Sequence, residues 1–442
     1  MNIFIAFFVA LLLAVVDGAG SAVMLIFTLL LGMLFCMTLP QKQRSSGFNL
    51  LAIVFSIYVS VAYMASLSFS SNESFYVSDP QRYISSYISS TSFKYTMEDL
   101  YDCYFGFSDS NLLYNAYLNV VALIMNNHLG GMSVFGLTLC QTLFGILSSV
   151  VMYRIFLRHF DAKFAFRQVL LFSALSPFLL YSSVIVRDIC ICFFFLLAFD
   201  VVDRKFSIWG VIQLALIMLL VWGIRLYSGL FISAFIWYYL YKYLHKSSLK
   251  PFGTIISVIL GIAALSMIFS SSLMEQTTEE LAAYEELSME RSDGGVTSKL
   301  MTLPSGVRHV FIVLFAMIRP LPPFDVYSQV ESFSNFVIST LALVSGFFWF
   351  VCFYSYVGFF IFNHQLKRMK SESVLLLAIC FLFLMGNAVH PDVRRMMPVF
   401  PALYMLFSLG MIEPQNVNKV NLYKEILTST YIIIAFALLL LP

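Results

Sequence analysis

The chain has 442 residues, of which 60% are hydrophobic and only 11% are charged, whereas a soluble domain carries about 25% charged residues. This composition excludes a water-soluble globular protein, and the formal net charge of +2 gives no sign of a nucleic-acid partner. The seven cysteines lie almost entirely in apolar runs, a pattern that excludes a disulfide framework and a cysteine-based zinc site.

Apolar runs long enough to cross a hydrocarbon core recur from end to end. They predict an all-α fold, a polytopic transmembrane helical bundle that forms one integral membrane domain over residues 1–442. Residues 1–16 lack the basic start of a secretory signal, so we expect them to be retained as a helix. The thirteen predicted spans are 3–18, 21–39, 48–68, 132–153, 165–185, 188–203, 207–224, 228–244, 253–271, 334–362, 373–389, 396–412 and 424–441.

Two further apolar segments, 111–130 and 306–320, break the alternation of sides if they are made to cross. We therefore expect both to be interfacial or re-entrant helices on the outer face. On this interpretation residues 69–131 form a large outer loop with an interfacial helix. Residues 272–333 form a second outer loop with a re-entrant helix.

Short loops rich in Lys and Arg, such as the one from Arg154 to Arg167, mark the cytoplasmic side by the positive-inside rule. The cations assigned to the outer side are mainly arginines, and a planar guanidinium binds phosphate or carboxylate with two parallel hydrogen bonds. The outer face is therefore suited to anionic ligands. The outer set is Arg82, Lys94, Arg187, Arg225, Arg291, Lys299, Arg308, Arg319, Arg394 and Arg395.

Five of these arginines stand at predicted helix ends: Arg187, Arg225, Arg319, Arg394 and Arg395. Charges at helix ends near a bilayer are candidates for a functional site. The alternative is that each one snorkels to lipid headgroups or pairs locally, Arg187 with Asp188 and Arg394 with Asp392.

Two positions carry side chains that could act as an acid or a base. Asp79, followed by Arg82 and Tyr83, could accept a proton from a sugar hydroxyl, although an Asp-Pro pair also opens a turn and caps the next helix. His390 with Asp392 is the second candidate, because imidazole titrates near neutral pH. Glu98, Asp99, Asp102 and Asp109 are interpreted as a solvated acidic face.

Three stretches resemble the Wzy/EpsG type of bacterial polysaccharide polymerase, which has the GT-C-like layout of membrane glycosyltransferases. Ser78-Asp79-Pro80-Gln81-Arg82-Tyr83 resembles the acidic element of the first large outer loop. Ser176-Pro177 followed by Arg187-Asp188 resembles a helix pair with an arginine at its outer turn. Asp392-Val393-Arg394-Arg395 before MMPVFPALYML resembles an arginine-led late helix.

This resemblance implies that the chain joins oligosaccharide repeat units carried on undecaprenyl diphosphate into O-antigen, capsular polysaccharide or exopolysaccharide. The reaction would take place at the periplasmic face of the bacterial inner membrane, with no cofactor and no metal. The implied partners are the lipid-linked glycan, membrane lipids and a chain-length regulator.

The resemblance and the charges together give the candidate site. Asp79 is the expected base, with His390 second. The expected diphosphate- and glycan-binding residues are Arg82, Tyr83, Arg187, Asp188, Arg225, Arg319, Arg394 and Arg395.

Two rival functions stay open on the sequence. A GT-C transferase that uses an undecaprenyl-phosphate-linked sugar would share Asp79 and the arginines. A flippase for lipid-linked oligosaccharides would instead need charged residues buried at mid-membrane, and the predicted spans are nearly free of them.

Overall fold

The computed structural model describes residues 2–68, 79–105, 111–246, 303–319, 327, 330, 332–362, 371–388, 393–412 and 417–440. All regular structure in these ranges is helical, as the sequence predicts. The predicted span 253–271, the acidic part of the second outer loop, His390 and Asp392 lie outside the described residues.

The helices follow the predicted apolar runs closely. The first three are α1 (Asn2–Asp17), α2 (Ala19–Met37) and α3 (Arg44–Ser68). The predicted outer loop contributes α4 (Asp79–Tyr87), α5 (Met97–Tyr104) and α6 (Leu112–His128). The central helices are α7 (Val134–His159), α8 (Ala162–Leu175), α9 (Pro177–Ser182), α10 (Arg187–Val202), α11 (Ile208–Ile224) and α12 (Leu226–Lys246).

The remaining helices belong to the carboxy-terminal third. They are α13 (Ser305–Ala316), α14 (Phe333–Phe362), α15 (Ser371–Gly386), α16 (Val393–Met396), α17 (Phe400–Ile412) and α18 (Val417–Leu440). A short 3-10 turn, Met397–Val399, joins α16 to α17.

Four helical segments in the described ranges are long and apolar enough to cross a bilayer: Ala19–Met37, Gln41–Ser68, Val134–His159 and Phe333–Gly358. Shorter apolar helices include Ile208–Ile224 and Ser373–Gly386. Length and composition therefore support a helical membrane protein. The count of thirteen crossings and the GT-C-like layout remain predictions.

Helix α7 is the centre of the bundle and packs against α2, α3, α8 and α10. Gly145 on α7 permits a close approach, because an added Cβ would collide with the side chains of Ser182 and Tyr58. By contrast α1 exposes large apolar side chains, including Phe4, Phe8 and Val15, as expected of a helix that faces lipid.

The predicted span 165–185 is two helices, α8 and α9, rather than one. The chain is extended at Ser176 (φ −84°, ψ 163°), and Pro177 occupies the first position of α9. Proline has no N–H to donate and disfavours a helical conformation in the residue before it. The break lets the chain turn before α10 begins at Arg187.

The predicted interfacial segment 111–130 corresponds to α6, which packs against α4, α5, α7 and α11. Its Tyr114, Leu118 and Asn119 are buried. Asn119 accepts a hydrogen bond from the Lys94 N–H (2.9 Å) and donates to Ser90 Oγ (2.8 Å). Helix α6 is therefore the support on which residues 90–94 are fixed.

Candidate functional site

Helix ends from three parts of the chain meet beside α10. Helix α10 begins at Arg187 after an extended Val186. Arg225 alone separates α11 from α12, in an extended conformation (φ −159°, ψ 113°). The 3-10 turn that follows Arg394 and Arg395 packs against α10, as do α11 and α12. The fold thus gathers arginines that are far apart in sequence.

Asp188 is the centre of this arrangement. Its side chain is almost completely buried, and Oδ1 lies 2.7 Å from Nη1 of Arg225, which is buried as well. Its other oxygen, Oδ2, lies 3.5 Å from Nε of Arg394. Buried charges persist only when opposite charges compensate them, so Asp188 and these two arginines form one unit.

Arg187 and Arg395 complete the group. Nη1 of Arg187 donates a long hydrogen bond (3.5 Å) to the carbonyl oxygen of Ile224, the last residue of α11. The charges of Arg187 and Arg395 both act on Asp188. We call Arg187, Asp188, Arg225, Arg394 and Arg395 the Asp188 cluster. It brings four arginines of the described chain together beside the buried Asp188 carboxylate.

Two neutral side chains that the sequence interpretation missed adjoin the cluster. The guanidinium carbon of Arg225 lies 5.3 Å from the centre of the Tyr227 ring. The Tyr227 hydroxyl donates to Oδ1 of the buried Asn387 (3.1 Å), whose amide donates to the Phe383 carbonyl (2.8 Å). These bonds tie α12 and α15 to the cluster.

The other predicted site residues that the structure describes have the following positions. Arg319 follows α13, with its guanidinium 5.6 Å from the centre of the Phe315 ring. Arg82 is exposed on α4, and Tyr83 packs edge-on against Tyr114 at 5.3 Å between ring centres. Asp79 is the first residue of α4. His390 and Asp392 lie outside the described residues.

Helices α5 and α6 approach the end of α11 that carries Arg225. An alanine Cβ at Gly223 would lie 2.5 Å from Leu113 Cγ and 2.7 Å from the Tyr104 hydroxyl. Tyr114 interacts with both Tyr83 and Cys190, and Cys190 lies one turn after Arg187. The predicted outer loop and the Asp188 cluster therefore lie at the same end of the bundle.

A second charged cluster lies at the other end of α10. Buried Asp200 pairs with Arg154 (2.6 Å), with Arg158 (2.8 Å) and with Arg204. Asp203 pairs with Arg158 (2.6 Å) and lies 3.1 Å from His159. At a rise of about 1.5 Å per residue, Asp188 and Asp200 are about 18 Å apart along the helix. We call these residues the Asp200 cluster.

The two clusters differ in position and in geometry. In the Asp200 cluster three arginines pair with two carboxylates, and Arg154 and Arg158 donate charged hydrogen bonds of 2.6–2.8 Å to them. This is the geometry of a structural ion-pair network. The arginines of the Asp188 cluster come from three helix ends on the predicted outer side, so we take the Asp188 cluster as the candidate site for an anionic ligand.

The chemistry of the Asp188 cluster is that of anion binding. Guanidinium groups suit phosphate oxygens, because they donate paired hydrogen bonds and keep their charge. The described residues contain no group of three His, Cys, Asp or Glu side chains placed to hold a metal ion. Comparison of the chain with family models, with curated proteins and with solved structures gave no match, so the resemblance to polysaccharide polymerases remains a prediction.

Proposed function

We propose that the chain is a membrane glycosyltransferase that polymerises oligosaccharide repeat units carried on undecaprenyl diphosphate. The observation that carries this proposal is the Asp188 cluster, in which four arginines from three chain segments surround one buried carboxylate. Guanidinium groups gathered at one end of a helix bundle are suited to binding an anion. A lipid diphosphate brings several negative charges to a membrane surface.

In the proposed reaction the arginines and the candidate base have separate roles. A hydroxyl of the acceptor sugar attacks the anomeric carbon of the donor glycan, and the bond from that carbon to the diphosphate oxygen breaks. Negative charge then develops on the leaving diphosphate, where fixed cations stabilise the transition state more than the ground state. The hydroxyl proton passes to a base, for which Asp79 is the first candidate and His390 the second.

Asp188 has a distinct role in this proposal. Its carboxylate pairs with Arg225 and Arg394 from opposite oxygens, so it fixes two guanidinium groups that would otherwise repel each other. We therefore assign it to positioning the arginines, whereas the sequence interpretation grouped it with residues that contact substrate.

The position of the cluster also suits a substrate with a lipid tail. Helix α11 ends at Arg225, and the last turns of α11 expose Leu216, Leu219 and Leu220. A polyprenyl chain would remain in the hydrocarbon beside these side chains. Its diphosphate would then lie at the level of Arg225.

The proposal is tested in the source cell by deleting the gene and supplying variants. Arg225→Lys and Arg394→Lys keep the charge but lose the paired donors, so we expect loss of polymer and accumulation of lipid carriers with a single repeat unit. Arg204→Lys is the matched control, because Arg204 is partly exposed in the Asp200 cluster. All variants are compared at equal amounts of the protein in the membrane fraction.

The same experiment separates the rival functions. A GT-C transferase would leave repeat units that lack one sugar, and a flippase would leave complete repeat units on the cytoplasmic face. Normal polymer from both Arg225→Lys and Arg394→Lys would remove the Asp188 cluster from the reaction.

Binding is tested separately on purified protein in detergent. A ligand that binds only the folded state raises the unfolding temperature. We expect a larger rise with undecaprenyl diphosphate than with undecaprenol, and a smaller difference in Arg225→Lys. Equal shifts with both lipids in the unsubstituted protein would mean that the diphosphate contributes nothing to binding.

A further inference from the structure

Helix α5 exposes an unusual set of apolar side chains for a short helix outside the predicted spans. Met97 is 82% exposed, Tyr101 63% and Phe105 70%, and Leu100 and Phe93 are exposed as well. Tyr101 and Phe105 stack on each other with ring centres 5.1 Å apart. In water this surface would be unfavourable, because apolar area is most stable away from water.

The side chains of α5 fall into three groups around the helix axis, according to their chemistry and exposure. At about 100° per residue, Met97, Leu100, Tyr101 and Phe105 share one arc. The carboxylates of Glu98, Asp99 and Asp102 occupy a second arc, and the three acids are all exposed. The buried Cys103 lies on a third arc, which faces the protein. Tyr104 lies within the apolar arc and reaches α11, so α5 has one apolar face that continues onto α11, one acidic face and one face buried against the protein.

The apolar face of α5 adjoins the exposed apolar face of α11. The Tyr104 hydroxyl donates to the carbonyl oxygen of Leu219 (2.9 Å), and Leu216, Leu219 and Leu220 are exposed on α11. Helix α11 is one of the shorter apolar helices of the chain. The exposed apolar surface therefore continues from α11 onto α5.

We propose that α5 is an interfacial helix that rests on the lipid leaflet beside the Asp188 cluster. Its apolar arc enters the boundary between headgroups and acyl chains, and its acidic arc faces water. Amphipathic helices bind bilayers in this way, and aromatic side chains are favoured at that depth. This assignment depends on the bilayer alone and not on glycosyl transfer.

A lipid surface fits better than a protein partner for two reasons. The first is that the apolar arc of α5 is continuous with the exposed apolar face of α11, whose composition suits hydrocarbon. The second is that the acidic residues of α5 begin where its apolar arc ends. The outer helix that the sequence interpretation assigned to the interface, α6, instead has Tyr114, Leu118 and Asn119 buried inside the protein. Helix α5 is therefore a further candidate for an interfacial helix in the predicted outer loop.

Spin labels test the proposal on the full chain in vesicles of phosphatidylethanolamine and phosphatidylglycerol. Labels are attached at Met97→Cys and Tyr101→Cys on the apolar arc, and at Glu98→Cys and Asp102→Cys as matched controls on the acidic arc. The seven native cysteines are buried, and the unsubstituted chain measures their background labelling. Collision rates are recorded with oxygen, which concentrates in the bilayer, and with a water-soluble nickel complex.

We expect the ratio of oxygen to nickel collisions to be severalfold higher at 97 and 101 than at 98 and 102. Equal ratios at all four positions would place α5 in water and overturn the proposal. Protection of 97 and 101 from both reagents would also overturn it, because a protein surface would then cover the helix. Since the four variants change only exposed side chains, a loss of folding is not expected to obscure the result.

Discussion

Oδ1 of Asp188 lies 2.7 Å from Nη1 of Arg225, and both side chains are almost completely buried. Removing two charges from water is unfavourable, and their mutual attraction recovers that energy only when the surroundings compensate. Arg394 supplies a second cation at 3.5 Å from the other carboxylate oxygen. Asp188 therefore links two arginines that come from different parts of the chain.

Replacing Asp188 by Asn should destabilise the protein by about 3–5 kcal/mol, because buried guanidinium groups would lose their counter-ion. The free energy of unfolding can be followed in detergent by denaturant titration. Asp102→Asn is the matched control, since Asp102 is an exposed acid. In the double variant Asp188→Asn with Arg225→Gln, the loss should be smaller than the sum of the single losses. Additive losses would contradict a direct interaction.

Replacing Asp200 by Asn should also cost about 3–5 kcal/mol, because the largely buried Arg154 would lose its carboxylate partner and Arg158 would keep only its ion pair with Asp203. Polymer formation per folded molecule should be retained, since the Asp200 cluster is structural. Lys205→Gln, a neighbouring change of one exposed charge, is the control for stability. An Asp200→Asn protein as stable as the control would show that these ion pairs contribute little.

The sequence predicted the ends of α10 and α11 to within one residue, because apolar runs there stop at charged side chains. It did not predict which charges pair. Adjacent residues on a helix point about 100° apart, so the residues that Asp188 meets across the bundle are decided by packing. The pairs Asp188–Arg225 and Asp188–Arg394 follow from tertiary structure, which a local pattern does not contain.

Two other features could not be predicted from the hydropathy pattern: the break between α8 and α9 and the contact between Tyr227 and Asn387. The Ser176-Pro177 pair was visible, but hydropathy alone continues across it, and only the backbone restriction of proline separates α8 from α9. Tyr227 and Asn387 meet through a hydrogen bond between neutral groups of distant helices. Neutral polar residues in apolar runs leave no periodic signal, whereas the arginines at helix ends do.

Asn119→Ala should loosen residues 90–94. The substitution removes the acceptor of the Lys94 N–H and the donor to Ser90 Oγ, and each buried polar group left unsatisfied costs about 1–3 kcal/mol. Hydrogen exchange measured by mass spectrometry should become faster in this segment. Asn127→Ala is the control, because Asn127 makes an exposed bond to the Thr91 carbonyl. Equal exchange in the two variants would contradict the role of α6 as a support.

The start of α5 should depend on pH. Hydrogen bonds from the Thr96 N–H (2.7 Å) and hydroxyl (2.8 Å) lower the pKa of Asp99 below its ordinary value. Because the folded pKa is the lower one, the stabilisation is complete above the unfolded pKa of about 3.9 and is lost as pH falls through the folded value. The motion of a spin label at Met97→Cys should increase in that acidic range, and Asp99→Asn should abolish the dependence. Unchanged titration in Asp99→Asn would assign it to another group.

Gly20→Ala should weaken the packing of α2 against the turn between α6 and α7. The new Cβ would lie 2.8 Å from the carbonyl oxygen of Gly131, and a backbone atom cannot move aside as a flexible side chain can. Overpacking of this kind costs about 1–3 kcal/mol. Gly386→Ala is the matched control on another helix, because the nearest atom, Cζ of Phe231, is 3.6 Å from the added Cβ and makes an ordinary contact. Unfolding temperatures in detergent should therefore fall for Gly20→Ala and stay level or rise for Gly386→Ala. A fall of equal size in both would attribute the effect to helix flexibility rather than to the approach of α2 to Gly131.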